Sequence, residues 1–264
     1  MQALRTQCSI LCLAASRLIA PRAQAVDFTD IWYNPAENGW GVNVVQSDTF
    51  IFATFFVYGS TNQPTWFTAL LSLNNAGDQF VGSVYASTGS WFGAVPYNAA
   101  LFTPIQVGTA TFQPTSSQTA RLTYNIGTTT VTKTIQRQTL TQIALGGSYL
   151  GGVVAETTEC ANPANAGVFA APVRLTATHF ADNQFSLAVT LADESTCTLS
   201  GTLQQAGQLY HTENGTYSCG AAGSPAIIYD VKATSVGIEG QWAAPVTISG
   251  SRCVEFGRFA GVIR

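Results

Sequence analysis

Two tryptophans, three asparagines and a carboxylate crowd one short run near the start of the chain, Trp32-Tyr33-Asn34-Pro35-Ala36-Glu37-Asn38-Gly39-Trp40-Gly41-Val42-Asn43. Pro35 and Gly39 shape a loop there. Flat indole faces beside Asn34, Glu37 and Asn43 supply what holds a sugar or another amphipathic ligand: a stacking surface and directional hydrogen bonds. The same residues also suit a packed barrel end, with Trp32 and Trp40 filling it and the asparagines satisfying loop backbone. A second aromatic concentration comprises Trp66, Tyr85, Trp91 and Phe92. Trp91 and Phe92 lie between Gly89 and Gly93, so they are either tucked inward or form a contact surface, and burial statistics favour inward.

Acid–base chemistry has few parts to work with. A glycosidase needs two carboxylates at a suitable separation, and Glu37 is the candidate acid, but nothing in the sequence identifies its partner. Only His179 and His211 are present, and no G-x-S-x-G, H-E-x-x-H, P-loop or dinucleotide-binding glycine pattern occurs. His211, beside Tyr210 and ahead of Asn214-Gly215, reads as a hairpin residue. No cofactor is implied. Charged residues reach 9% of the chain, against roughly a quarter in ordinary soluble proteins. A surface so poor in charge has little field to attract phosphate, which argues against nucleic acid and anionic membranes as partners.

The cysteines point to an oxidising compartment. Cys160, Cys197, Cys219 and Cys253 all lie in the second half, 37, 22 and 34 positions apart. They lack the close pairs a metal site uses, so two disulfides are expected. Cys8 and Cys12 fall within residues 1–25, which read as a signal peptide: Arg5, a short apolar stretch from Ser9 to Ala15, and a small-x-small site at Ala23-Gln24-Ala25. The mature chain is then expected to begin at Val26 and to be secreted or periplasmic. Removing Arg5, Arg17 and Arg22 from 11 bases leaves 8 against 14 acids, a balance of minus six. No stretch reaches eighteen apolar residues, so no membrane-spanning helix is expected.

The elements that must carry these residues are strands. Leu122, Tyr124 and Ile126 alternate with polar residues, Gly127 permits a turn, and Val131, Lys133, Ile135 and Arg137 alternate with threonine and glutamine. Phe185 to Leu191 and Cys197 to Leu203 follow the same period of two. Phe50 to Tyr58 is apolar at almost every position, which asks for burial on both strand faces or an apolar ligand on one; burial is the commoner answer. Strands are predicted near 28–33, 41–47, 49–58, 64–71, 79–87, 106–113, 119–126 and 128–138, then, after a break at Leu145-Gly146-Gly147, near 147–156, 168–177, 184–191, 195–203, 208–218, 226–235, 236–242 and 253–263. The fold class is therefore all-β. Two consecutive antiparallel domains, 26–143 and 144–264, each hold about eight short strands in a barrel or sandwich. A turn at Gln205 to Gln208 favours pairing Cys197 with Cys219, and closing the second domain's first strand on its last favours Cys160 with Cys253; three pairings are formally open.

The run W-Y-N-P-A-E-N-G-W-G-V-N at 32–43, with F-V-Y-G at 56–59, P-T-W-F at 64–67, T-G-S-W-F-G at 88–93, V-G-T-A-T-F at 107–112 and V-T-K-T-I-Q-R-Q-T at 131–139, resembles a group of exported proteobacterial proteins that carry no established activity. E-C-A-N-P-A-N-A-G at 159–167, C-T-L-S-G-T-L at 197–203, G-T-Y-S-C at 215–219 and F-G-R-F-A-G-V at 256–262 look like the domain that accompanies it. The resemblance implies export and a two-domain architecture, and no mechanism. Asn38 stands where the pattern has Ser. Trp32-Tyr33-Asn34 and Gly82-Ser83-Val84-Tyr85 also echo avidin-like and other calycin barrels, where such words line a ligand cavity; shared barrel packing produces the same two words.

These observations lead to an exported, non-catalytic binding protein, its ligand a carbohydrate or small amphipathic molecule held by Trp32, Asn34, Glu37, Trp40, Asn43, Trp66, Tyr85 and Trp91. The alternatives are a structural or protein-interaction module of the cell envelope and a carboxylate-based glycoside hydrolase. Thiol titration of the unfolded, unreduced mature protein should find none of the four cysteines free, and reduction should destabilise the second domain by roughly 2–5 kcal/mol per bridge. Two or more titratable thiols contradict the disulfide assignment.

Overall fold

A computed structural model describes residues 26–220 and 223–264; the expected signal peptide at 1–25 lies outside them. Alternation of apolar and polar residues folds the chain into two successive eight-stranded antiparallel barrels. The first is closed from β1 (Asp30–Tyr33), β2 (Gly41–Ser47), β3 (Phe50–Tyr58), β4 (Pro64–Leu73), β5 (Phe80–Thr88), β6 (Thr103–Pro114), β7 (Thr119–Ile126) and β8 (Thr129–Arg137), each strand beside the next and β8 returning to β1. The second comprises β9 (Gly147–Thr158), β10 (Gly167–His179), β11 (Gln184–Thr190), β12 (Thr196–Thr202), β13 (Gln204–Ala206), β14 (Leu209–Cys219), β15 (Gly223–Ala233), β16 (Gly237–Ile248) and β17 (Ser251–Ile263). There β9 pairs with β17 and β12 with β14, closing the ring, while short β13 pairs with β14 alone. Closure leaves these threonine-rich sheets without long open edges.

Each lumen is packed with the apolar half of the alternation. In the first, Trp32, Val42, Val44, Ile51, Phe55 and Leu122 are all but inaccessible, and Phe28 seals one end against the rings of Trp32, Phe80 and Phe112. In the second, Trp242 stacks near Phe259 over Leu175, Leu187 and Ile228. The β3 strand differs from the expectation of burial on both faces. Ile51, Ala53 and Phe55 point inward, but Phe50, Phe52, Phe56 and Tyr58 on the other face are 38–57% exposed, because among the described residues no second layer packs over the outer face of this strand.

Both disulfides staple ring seams. Cys197–Cys219 joins directly opposed residues of β12 and β14, and Cys160–Cys253 links the segment after β9 to β17. These are the pairs that the strand layout favoured, and bridges of this kind belong to an oxidising, extracytoplasmic environment.

The chain between the barrels, 138–146, is pinned rather than free. The Tyr210 hydroxyl exchanges hydrogen bonds with the backbone of Ile143, and Leu145 is fully buried. The turn between β13 and β14 returns the contact: Gly207 N–H donates to Thr139 Oγ1 and Gln208 N–H to Asp30 Oδ2 of the first barrel. Gly207 has φ +60°, and a Cβ there would collide with the Asp30 carboxylate and lie 2.8 Å from the Cβ of Arg137. Both the backbone conformation and the close approach require glycine. Gly207→Ala should therefore lower the unfolding free energy by at least ~1 kcal/mol, measured by chemical denaturation; an unchanged midpoint contradicts this junction.

Candidate functional site

Cap and groove both grow from the loop between β1 and β2. Asn34 begins the loop as a turn former: its Oδ1 accepts from Ala36 N–H at 2.9 Å while its carbonyl accepts from Glu37 N–H at 3.0 Å. Glu37 is then presented to the barrel mouth. The alternation of β8 sends Val131, Lys133, Ile135 and Arg137 inward, and Lys133 lies near enough to the open end for its ammonium to meet Glu37 Oε1 at 2.6 Å. Trp40 Nε1 donates to Glu37 Oε2 at 3.0 Å, and the Trp40 ring packs against the core. The hydrogen bond from Lys133, aided by that from Trp40, holds the Glu37 carboxyl below the usual carboxylate range. Because both partners stay about a third exposed (31% and 38%), the pair fixes the loop's position more than it adds stability.

Across the outer faces of β1 to β3 the loop borders a shallow groove of about 490 Å³. Gly41 leaves a dip in its floor, because the row Gly41–Phe56–Trp66 across β2, β3 and β4 has no side chain at its first place. Tyr33, Trp40 and Phe56 give aromatic walls, and Asn38, Asn43 and Gln138 bring amides. Gly39, at φ +101°, lies against the Tyr58 ring. Phe56 and Trp66, directly paired and 56% and 51% exposed, continue the aromatic surface past the groove. Among the described residues no carboxylate lines this groove, so it offers stacking and neutral hydrogen bonds. Among the described residues no three His, Cys, Asp or Glu side chains converge as a metal set.

The structure divides the residues singled out in the sequence. Trp40 and Asn43 line the groove, and Trp66 extends it. Trp32 is wholly buried, with its indole N–H on the Phe28 carbonyl, and has no surface to offer a ligand. Asn34 and Glu37 shape and anchor the loop. Tyr85 is half-buried on β5, opposite Thr68. Trp91 and Phe92, expected inward, are instead 68% and 92% exposed, their ring centroids 5.6 Å apart; the loop after β5 stands away from the closed barrel, whose lumen is already full. Tyr33, Asn38, Phe56 and Gln138 were not singled out. The signal for Tyr33 and Phe56 was present in strand parity, since each follows a residue that points inward, Trp32 and Phe55.

Compared with known proteins, the chain matches no family model, no curated protein and no solved structure.

The Glu37–Lys133 anchor has a pH signature. A carboxyl whose folded-state pKa is depressed contributes stability that is fully present above its unfolded value and is lost as pH falls through the folded one. Thermal melts of the first barrel should hold steady from pH 7 to about 5 and fall below the ordinary carboxylate value near ~4. Glu37→Gln should make that acid limb shallower without removing it, since the other carboxylates remain; an identical limb in the variant contradicts the anchor.

Proposed function

We propose that the protein is an exported, non-catalytic binding protein that holds an uncharged, carbohydrate-like ligand on the outer face of its first barrel. The observation that carries this reading is the groove itself: Tyr33, Trp40 and Phe56 around a glycine floor, with Asn38, Asn43 and Gln138 at its edges. Sugars present apolar C–H faces and a rim of hydroxyls. Aromatic rings take the faces, and amides, which both donate and accept, take the hydroxyls. The groove is suited to a neutral ligand, since none of the described residues that line it is charged. Secretion or a periplasmic location is supported by the two bridges and by the resemblance of the 32–43 run to exported proteins.

A second reading, an interaction module of the cell envelope, is favoured by a different observation. The loop from Trp91 to Phe102 exposes Trp91, Phe92, Val95, Tyr97 and Phe102, each by 60% or more. Exposed apolar patches of this extent on a soluble protein commonly mark a contact with another macromolecule.

Calorimetric titration with a panel of neutral oligosaccharides separates the two. On the binding reading, at least one glycan titrates, and Phe56→Ala and Asn43→Ala each weaken it by about tenfold or more, as expected for a lost stacking face or hydrogen bond, with unchanged melting. A Trp91→Ser/Phe92→Ser double variant keeps glycan affinity. A silent panel, or a glycan whose affinity ignores Phe56, overturns the reading in favour of the interaction module.

A further inference from the structure

A cleft of about 590 Å³ lies between the two barrels, away from the aromatic groove. Its floor is the outer wall of the second barrel, and strand register sets the chemistry of that wall. Two neighbouring rows cross β16, β17, β9 and β10: Gln241–Arg258–Val154–Ala170 and Glu239–Ala260–Gly152–Pro172, with Lys232 of β15 opposite Glu239. The β15–β16 side of the floor is thus polar or charged, and the β9–β10 side small and apolar. Asp27, Thr29 and Arg137 of the first barrel form the roof.

Asp230 sits at the polar side in a bulge between Tyr229 and Lys232, at φ +53°. Asp230 lines the cleft; its Oδ2 accepts from Gln241 Nε2 at 3.2 Å, and its Oδ1 is buried with no hydrogen-bond partner among the described residues. A buried carboxylate oxygen without a donor is costly, and the left-handed backbone at the bulge adds to the cost of holding it there. The neighbouring charges select the donor's sign. Arg137 is already balanced by Asp30, so Asp27, Asp230 and Glu239 stand against Lys232 and Arg258, and the cleft leans negative. Lys232 Nζ is itself 4.0 Å from Asp27 Oδ2.

We propose that this cleft is a second binding site, for a small molecule carrying a primary ammonium on a compact aliphatic body. The ammonium meets the Asp230 carboxylate at the polar side of the cleft, and the body lies on Gly152, Ala170 and Ala260. The cleft's volume falls within the range of small-molecule sites. A simple alkylamine and a free aliphatic amino acid share this chemistry.

Isothermal titration of the full disulfide-bonded protein with n-hexylamine, L-leucine and hexanoate tests the proposal. One or both amines should bind and hexanoate should not; hexylamine alone assigns a simple amine, leucine alone an amino acid. Asp230→Asn should weaken the amine at least tenfold. Ala260→Leu, which fills the floor from an exposed outer position, should do the same with an unchanged melting temperature, and it decides the matter if Asp230→Asn disturbs folding. Failure of both amines to bind, binding of hexanoate as strong as hexylamine, or amine affinity untouched in both variants overturns the site.

Discussion

The buried pair of Arg137 and Asp30 holds the molecule together at the point where everything else meets. Arg137, 2% exposed, faces Asp30 Oδ2 at 3.1 Å and lies 5.0 Å over the Trp32 ring. Its other hydrogens go to the carbonyls of Asp27, Thr29 and Ser117. One guanidinium therefore ties the lead-in to β1, the turn between β6 and β7, and the end of β8 into one barrel floor. Burial pulls its pKa below the ordinary value while Asp30 opposes the shift, and an arginine stays charged regardless. A charge so placed is tolerable only because nearly every donor has a partner. Asp30 turns the same pair outward, since its Oδ2 also accepts the Gln208 amide of the second barrel.

The two ends of the first barrel thus do different work. At one, Arg137 and Asp30 fix the barrel to its neighbour and help roof the interdomain cleft. At the other, Lys133 and Glu37 hold the loop that borders the aromatic groove. Both cations come from one face of β8, two turns of the same alternation, and each meets an acid supplied by the chain around β1. Because the lumen between them is filled with apolar side chains, the concave surfaces lie outside it: the groove beside Trp40 and the cleft beside Asp230.

Strands were legible in the sequence because each barrel buries one face, so a period of two marks nearly every element. The disulfide pairs were legible for the same reason, since neighbour relations in a meander bring those cysteines together. Only β13 was missed, as three residues are too few to show a period. The site was less legible. Trp32 and Trp40 read alike, yet strand parity buries the first and the loop half-exposes the second. The Phe50–Tyr58 run carries apolar residues on both faces, and composition does not reveal that the outer one stays uncovered. The loop with Trp91 and Phe92 is outward for a reason local patterns do not carry, namely that the lumen is already full. Likewise Lys133 and Arg137 appeared in the inward phase of β8, but their partners lie about a hundred positions away, and only barrel closure brings Glu37 and Asp30 to them.

The measurement that bears most directly on this account is hydrogen exchange along the chain of an Asp30→Ala variant. If the Arg137–Asp30 pair joins the barrels, removing the carboxylate leaves a buried guanidinium unpaired, at a cost of about 3–5 kcal/mol. Amide protection should then fall together along β1 and β8 and at Gly207 and Gln208 in the other barrel. Protection at Gly207 and Gln208 that matches the unaltered protein, with β1 and β8 also unchanged, would contradict the pair's central role.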